Sequence, residues 1–360
     1  GFRACKRCRP DALPGTRDDN VRGELVGRAV RLIRDGAVDD AGVPGLAERL
    51  AVSERHLRRV LVEEIGASPQ QLNRTRRAHA ARTLIEQTTM PLSEVAFAAG
   101  FGSVRQFNGV MLAEFGTQPS ALPRGRTPQR GPGPDEPASD QPPTITLRLR
   151  HRAPYATGPM RAFLSNHAVP GREVAAPGGE HLTRALSAPG GPALATVRWG
   201  DDPEHLTAEL RLSRLDDLMP VIAGLRRWLD LDADPLAVSE ALGTDPVLAP
   251  LFAKRPGIRI PGSVDGAELA LNTVLGQQVS IPAARTLQGR LVAAFGTEIA
   301  LGAGAEGAGP TPFRSAPDPA RIAASDPERL REILRITSSR ARTVHALAEA
   351  IAGGLRLDPG

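Results

Sequence analysis

"EEIGASPQQL", residues Glu63–Leu72, returns as "LAEFGTQPSAL", residues Leu112–Leu122, at an offset of 50. Ile65 is answered by Phe115, Gly66 by Gly116, Pro69 by Pro119 and Leu72 by Leu122. A recurrence of this kind reports a duplicated supersecondary unit. Each copy reads as two helices meeting at a turn. In the first, Leu46, Ala47 and Leu50 form an apolar face, Ala51 and Val52 occupy the turn, and Leu57, Val60 and Leu61 supply the facing side. In the second, Leu92, Val95, Ala96 and Ala99 precede a turn at Gly100–Gly102, and Val104, Phe107, Val110 and Met111 follow it. Small residues at Ala47 and Ala96 let the helices approach, and Ala or Gly in the turn permits the steep crossing of a helix-turn-helix. From Ala47 to Leu57 is one residue shorter than from Ala96 to Phe107, so the earlier anchors drift from the offset of 50. The basic run Leu72–Gln87 is predicted to be the helix connecting the two units.

The whole chain has 360 residues, enough for two or three domains. Hydrophobic residues at 41% and charged residues at 24% exclude a wholly disordered chain, and no apolar run is long enough to span a bilayer. No export signal opens it, and two cysteines give no disulfide framework, so a cytoplasmic setting without a membrane partner is expected. The net charge of +5 points to a polyanion.

Arginine gathers where a DNA reader would need it. In a helix-turn-helix the second helix enters the major groove and offers its first residues to base edges. "SERHLRRVL" carries Glu54, Arg55, Arg58 and Arg59 there, and "SVRQFNGVM" carries Arg105, Gln106 and Asn108. Arginine matches the two acceptors of guanine, and Asn or Gln matches adenine. Arg74, Arg76, Arg77 and Arg82 are expected on phosphates, which position a protein without reading sequence.

Arg124–Pro143 is rich in proline and glycine and lacks apolar periodicity, so it is predicted to be a flexible linker. Beyond it the period becomes two. Ile145, Leu147 and Leu149 alternate with polar residues, as do Ala195, Val197 and Trp199, and Leu206, Ala208, Leu210 and Leu212. Met160, Phe163, Leu164 and His167 suggest one helix, and Leu215, Leu218, Ile222, Leu225 and Leu229 another. An antiparallel sheet with helices on one face is the economical assembly. After about Val264 the pattern is helical: one helix ends near Gln278, and a second carries Ile281, Ala284, Leu287, Leu291 and Phe295 on one side. Pro282 fits the first turn of that second helix. Leu330–Ile336 and Val344–Ile351 continue the helical character, while Gly302–Pro319 reads as a long surface loop.

Three resemblances follow from these motifs. "PLSEVAFAAGFGSVRQFNGVMLAEFGTQPSALPR", Pro91–Arg124, closely resembles the AraC-type DNA-binding domain, two helix-turn-helix units on a linker helix, and assigns it residues 21–123. "FRACKRCRPD" before it resembles the end of the methyl-accepting zinc domain of Ada-type regulators, placing a remnant of that domain at residues 1–15. That family holds zinc with four cysteinates, of which Cys5 and Cys8 match the last two; the methyl-accepting cysteine has no match, so methyl transfer is not expected of this chain. The residues alone leave half a zinc site, a redox pair or two unrelated thiols open.

"RPGIRIPGSVDGAELALNTVLGQQVS", with "LRLRHRAPY" earlier, resembles AlkA-type 3-methyladenine DNA glycosylases of the helix-hairpin-helix superfamily. The resemblance implies an α+β domain like the TATA-binding protein at 144–256, after the linker at 124–143, and an all-α glycosylase domain at 257–360. It implies hydrolysis of the N-glycosidic bond of alkylated purines (DNA-3-methyladenine glycosylase type II). Gln278 matches the position of the wedge that fills the gap left by the extruded nucleotide, although Gln277 and Gln278 could instead cap a helix. The family's hairpin and catalytic Asp have no match through Gly360, and Asp265 and Asp358 are misplaced for that role. No catalytic residue is therefore assigned, and these 360 residues are expected not to complete hydrolysis. The resemblances together imply a DNA-alkylation response protein that binds promoter DNA and alkylated DNA and activates transcription, with RNA polymerase as a further partner. The alternative is a non-enzymatic AraC-type regulator whose glycosylase-like part is a damage sensor or scaffold.

Overall fold

In the computed structural model, which describes residues 21–125, 144–302 and 312–357, the chain forms two compact units that meet near Arg124 in sequence. The first contains six helices: α1 (Val21–Arg34), α2 (Ala37–Arg49), α3 (Glu54–Ile65), α4 (Pro69–Gln87), α5 (Leu92–Ala98) and α6 (Val104–Phe115). Gly42, at φ 67°, breaks α2 just before Pro44, so its last turns form a separate short helix.

The offset of 50 is a copied helix with both of its caps. Ser53 and Ser103 precede α3 and α6, and each hydroxyl accepts the backbone N–H three residues on, from His56 and Gln106, at 3.2 Å. Gly66 and Gly116, at φ 72° and 68°, end the two helices in the left-handed conformation that glycine adopts most readily. The preceding turns differ by one residue. Ala51 and Gly100 hold the left-handed position, and the next N–H groups, of Val52 and Phe101, bond back to the Ala47 and Ala96 carbonyls at 3.0 and 2.9 Å. Gly102 is the extra residue before the second cap.

Ala51 at φ 54° carries a Cβ where the second copy has none. Ala51→Gly is expected to stabilise the first unit by about 1 kcal/mol, strain relief outweighing the added unfolded-state entropy. A higher urea midpoint at unchanged slope is the readout.

The first predicted apolar face is buried, with Leu46, Ala47, Leu50, Leu57 and Leu61 packing with Ala29 and Ile33 of α1; in the second, Phe107, Val110 and Met111 are buried while Val104 is exposed. Two of the expected phosphate contacts are not free. Asp39 of α2 accepts from Asn73 at 2.7 Å and ion-pairs with both Arg76 and Arg77, tying α2 to α4. These arginines come one turn after Asn73 on the inner side of α4, a placement that charge alone does not reveal.

The second unit holds β1 (Ile145–Arg150), α7 (Thr157–His167), β2 (Glu173–Ala175), β3 (His181–Ala188), β4 (Gly191–Arg198), β5 (His205–Leu212) and α8 (Leu218–Trp228). Seven further helices are described: α9 (Pro235–Leu242), α10 (Ala249–Lys254), α11 (Gly266–Gly276), α12 (Ile281–Phe295), α13 (Pro319–Ala323), α14 (Pro327–Leu334) and α15 (Ser338–Ala352). The strands form an antiparallel sheet in the order β1-β5-β4-β3-β2. Ile145 pairs Leu210, and Leu147 pairs Ala208, which puts the alternating apolar residues of β1 and β5 on one buried face. Leu218, Ile222 and Leu225 of α8 are buried as expected.

The sheet departs from the one-faced reading at its centre. Leu182–Leu186 and Ala193–Val197 are buried without alternation, the mark of strands covered on both faces. Ala185 and Leu194 pack on the second face against Ile299, Leu301 and Phe313. So Phe313, inside the stretch read as a surface loop, belongs to the core. The two segments divided at 256/257 also lie in one compact unit. Its helical part is centred on Leu271, Leu275, Leu291, Leu330, Leu334 and Val344. Among the described residues no helix is long and apolar enough to cross a membrane.

Candidate nucleic-acid interface

Because α3 and α6 are copies, their exposed residues correspond. Arg55 matches Arg105 at the second helical position, and Arg58 matches Asn108 at the fifth. All four are exposed, and none makes an ion pair among the described residues. Positions two and five share a face one turn apart, so each helix presents a paired exposed edge, Arg with Arg in the first half and Arg with Asn in the second. Arg59 is less free, lying 3.8 Å from Glu63 and 3.2 Å from the His56 ring nitrogen. Gln106 is partly committed: its side-chain carbonyl accepts the Gly102 N–H at 3.2 Å, in the manner of a capping box. Of the arginines expected on phosphates, Arg74 is exposed, while Arg82 pairs with Glu86 at 2.7 Å and lies over the Phe115 ring.

The second unit contains a cleft of about 380 Å³, within the usual range for ligand sites. One wall comes from the sheet layer, with Phe163, His167, Glu173 and Arg184; the other comes from α11, α12 and the turn between them. Asp265 caps α11 by accepting the Glu268 N–H at 2.9 Å, and Ser280 caps α12. Between these helices Gln277 is fixed by its carbonyl, which accepts from Arg340 at 2.7 Å. Gln278 follows at φ 54°, exposed, with its neighbours Gly276 and Val279 lining the cleft. A glutamine in the left-handed region is an outlier that surrounding structure must hold in place. Gln278 therefore stands beside the cleft, while Gln277 occupies the C-cap position of α11, with Asp265 and Ser280 capping the starts of α11 and α12.

The floor is a buried ion cluster. Glu268, 6% exposed, accepts from Arg172 at 2.8 Å and from Arg184 at 3.0 Å. Arg184 also pairs with Glu173 and lies 5.0 Å from the Trp228 ring centre. Burial alone would raise the Glu268 carboxyl, but the two guanidiniums outweigh it and hold it below its ordinary value. For Arg184, burial works against the charge, and Glu268 with Glu173 reverses the sign, so its value is raised.

Phe163, one of the residues that marked α7 in the sequence, is 44% exposed and stacks on His167 with ring centres 4.0 Å apart. Sequence reasoning missed this aromatic wall because Phe163 falls in step with the buried Met160 and Leu164. It also missed Arg172, Arg184 and Glu268, which look like ordinary surface charges until the fold brings them together across 84 to 96 residues. Cys5, Cys8 and Asp358 lie outside the described residues. Among those described, no group of three or more His, Cys, Asp or Glu is placed to hold a metal.

A paired helix-turn-helix unit, joined to a sheet-and-helix unit whose cleft opens beside a strained turn, defines a DNA-binding regulator combined with a base-excision repair fold. Residues 46–125 match the model of a helix-turn-helix domain, 146–265 that of the AlkA N-terminal domain, and 271–360 that of the HhH-GPD superfamily of base excision DNA repair proteins. The chain is 45% identical over its whole length to a probable bifunctional transcriptional activator/DNA repair enzyme AlkA of Mycobacterium tuberculosis, spanning 69% of that protein. It is 32% identical to DNA-3-methyladenine glycosylase 2 of Escherichia coli over 57% of this chain and 67% of the relative. The transcriptional activator RhaS of Escherichia fergusonii is 30% identical over 30% of this chain and 39% of its own length. The chain belongs to the family of bifunctional AlkA-type transcriptional activator/DNA repair enzymes.

Proposed function

We propose that this protein couples sequence-specific promoter binding, through α3 and α6, with excision of alkylated purines from DNA by N-glycosidic hydrolysis. The observation that carries the repair half is Gln278: an exposed side chain on a strained turn, at the rim of a cleft with an aromatic wall. A base inside a duplex must leave the stack before its glycosidic bond can be reached, and a side chain must occupy the gap. Gln278 supports that role, and the Phe163–His167 wall supports reception of the base. Alkylation makes the base cationic, which favours an aromatic neighbour.

The hydrolytic step needs a carboxylate free to stabilise an oxocarbenium-like sugar. Glu173 and Glu268 are already paired with arginines and Asp265 is a helix cap, so none of the three is given that role. A second reading is a regulator whose cleft senses damage without cutting. Release of methylated purines from alkylated DNA by the protein decides between the two. In that assay Gln278→Ala is expected to lower kcat/KM about tenfold, with a matching loss of unstacking reported by 2-aminopurine beside the lesion. Unchanged release and unstacking would remove the wedge.

Activation further implies a contact with RNA polymerase and a cytoplasmic setting. Zinc on Cys5 and Cys8 remains part of the proposal. Two thiolates supply half of a tetrahedral set, and metal analysis of the purified protein checks it.

A further inference from the structure

The segment Lys254–Ile260, KRPGIRI, is inverted relative to ordinary burial. Arg259 is inside and the isoleucines on either side of it are outside. Arg259 is 7% exposed, and its guanidinium donates to the backbone carbonyls of Asp230 at 3.1 Å and Ala233 at 2.7 Å, and to those of Arg152 and Pro154. Its charged group also lies 5.2 Å from the Tyr155 ring centre. Gly257, at φ 75°, lies so close to the Pro154 carbonyl that a Cβ there would come within 2.4 Å of its oxygen. With the backbone pinned at both residues, the alternating positions must face out: Ile258 is 38% exposed and Ile260 84%.

Folding stability gives no reason to fasten an isoleucine into water. The strip's two ends suggest what covers it. At one end Lys254 and Arg255 are exposed and make no ion pair among the described residues. At the other, Pro261, Gly262 and Ser263 line the same cleft that Gly276 and Val279 border beside Gln278. Cations, then apolar side chains, then the mouth of the cleft is the order that a duplex would meet on entering it. Phosphates take Lys and Arg, and apolar side chains press between or against bases in the minor groove.

We infer that Lys254–Ile260 is a duplex-contacting strip beside the cleft, with Ile260 entering the minor groove next to the extruded nucleotide and Lys254 and Arg255 on the flanking phosphates. The inference rests on the glycosylase reading. It assigns DNA contacts to residues distinct from the Gln278 turn.

The test uses the protein with Arg58→Ala and Arg105→Ala, so that α3 and α6 contribute little, and a duplex carrying a tetrahydrofuran abasic analogue. Ile260→Asp is expected to weaken binding about tenfold and to raise KM for base release at unchanged kcat. Lys254→Ala and Arg255→Ala are each expected to flatten the slope of log K against log salt by about 0.9. Because the side chains are exposed, circular dichroism should match the parent. If the parent releases methylated bases and Ile260→Asp binds and turns over like it, the strip is overturned and the glycosylase reading stands. A parent that binds the abasic duplex no more tightly than an undamaged one overturns both. If Ile260→Asp changes the sedimenting mass and leaves DNA affinity alone, the strip is a protein interface, and the inference again falls.

Discussion

Glu268→Ala is expected to destabilise the second unit by about 3–5 kcal/mol, the cost typical of removing one partner from a buried ion pair. The carboxylate sits between Arg172 and Arg184, both almost without solvent, and its loss leaves two guanidiniums facing each other over an empty floor. Glu173 can still serve Arg184, but Arg172 keeps only a long bond of 3.4 Å to the Arg314 carbonyl. Glu268→Gln should keep part of the hydrogen bonding and lie between the two. The same cluster gives an acid signature. The folded carboxyl is held below its unfolded value, so its contribution is complete above the unfolded pKa of about 4.3 and is lost as pH falls through the folded value. Urea titrations from pH 7 down to pH 3 should therefore show wild type and Glu268→Ala converging in acid. A loss below about 1 kcal/mol at pH 7, or a gap that does not close in acid, would contradict this account.

The second large effect is on operator binding. Arg105→Ala is expected to weaken binding to the selected promoter site by about 1–3 kcal/mol, roughly 5- to 150-fold, and to relax preference at one guanine. Arg55→Ala should do the same one half-site away, because the copied caps of α3 and α6 set both arginines at the same helical position. Arg74→Ala is the contrast: it should weaken binding to all sequences alike and reduce the salt dependence. Anisotropy titrations on the selected site and single-base variants at two salt concentrations separate the cases. Equal losses on every sequence for Arg105→Ala would move it from reading to positioning.

Much of the first unit was legible because its signals are local. The repeated Gly66 and Gly116 and the apolar spacing before them follow from helical period, and the offset of 50 turns one reading into two. What escaped were charges whose partners are distant in sequence. Asp39 reaches Arg76 and Arg77 across more than thirty residues, and no periodicity distinguishes those arginines from the exposed Arg74. The sheet shows the same divide. Alternation in β1 and β5 matched the fold, whereas β3 and β4 lost it, because Ile299, Leu301 and Phe313 return from far along the chain to cover their other face. In the repair half, Gln278 could be picked out only through the resemblance. Its strained backbone and its place on the cleft's rim come from the fold alone, as does the inward turn of Arg259.

The left-handed backbone at Gln278 bears on any attempt to engineer a hardier form of this protein. Procedures that raise thermal tolerance look for non-glycine residues at positive φ and replace them, and by that rule Gln278 ranks with Ala51. At Ala51 the replacement touches only a turn between helices. At position 278 it would erase an exposed side chain beside the cleft. Two positions alike in backbone geometry thus differ in what they can give up, and a screen for heat resistance alone would favour losing the proposed wedge along with the strain.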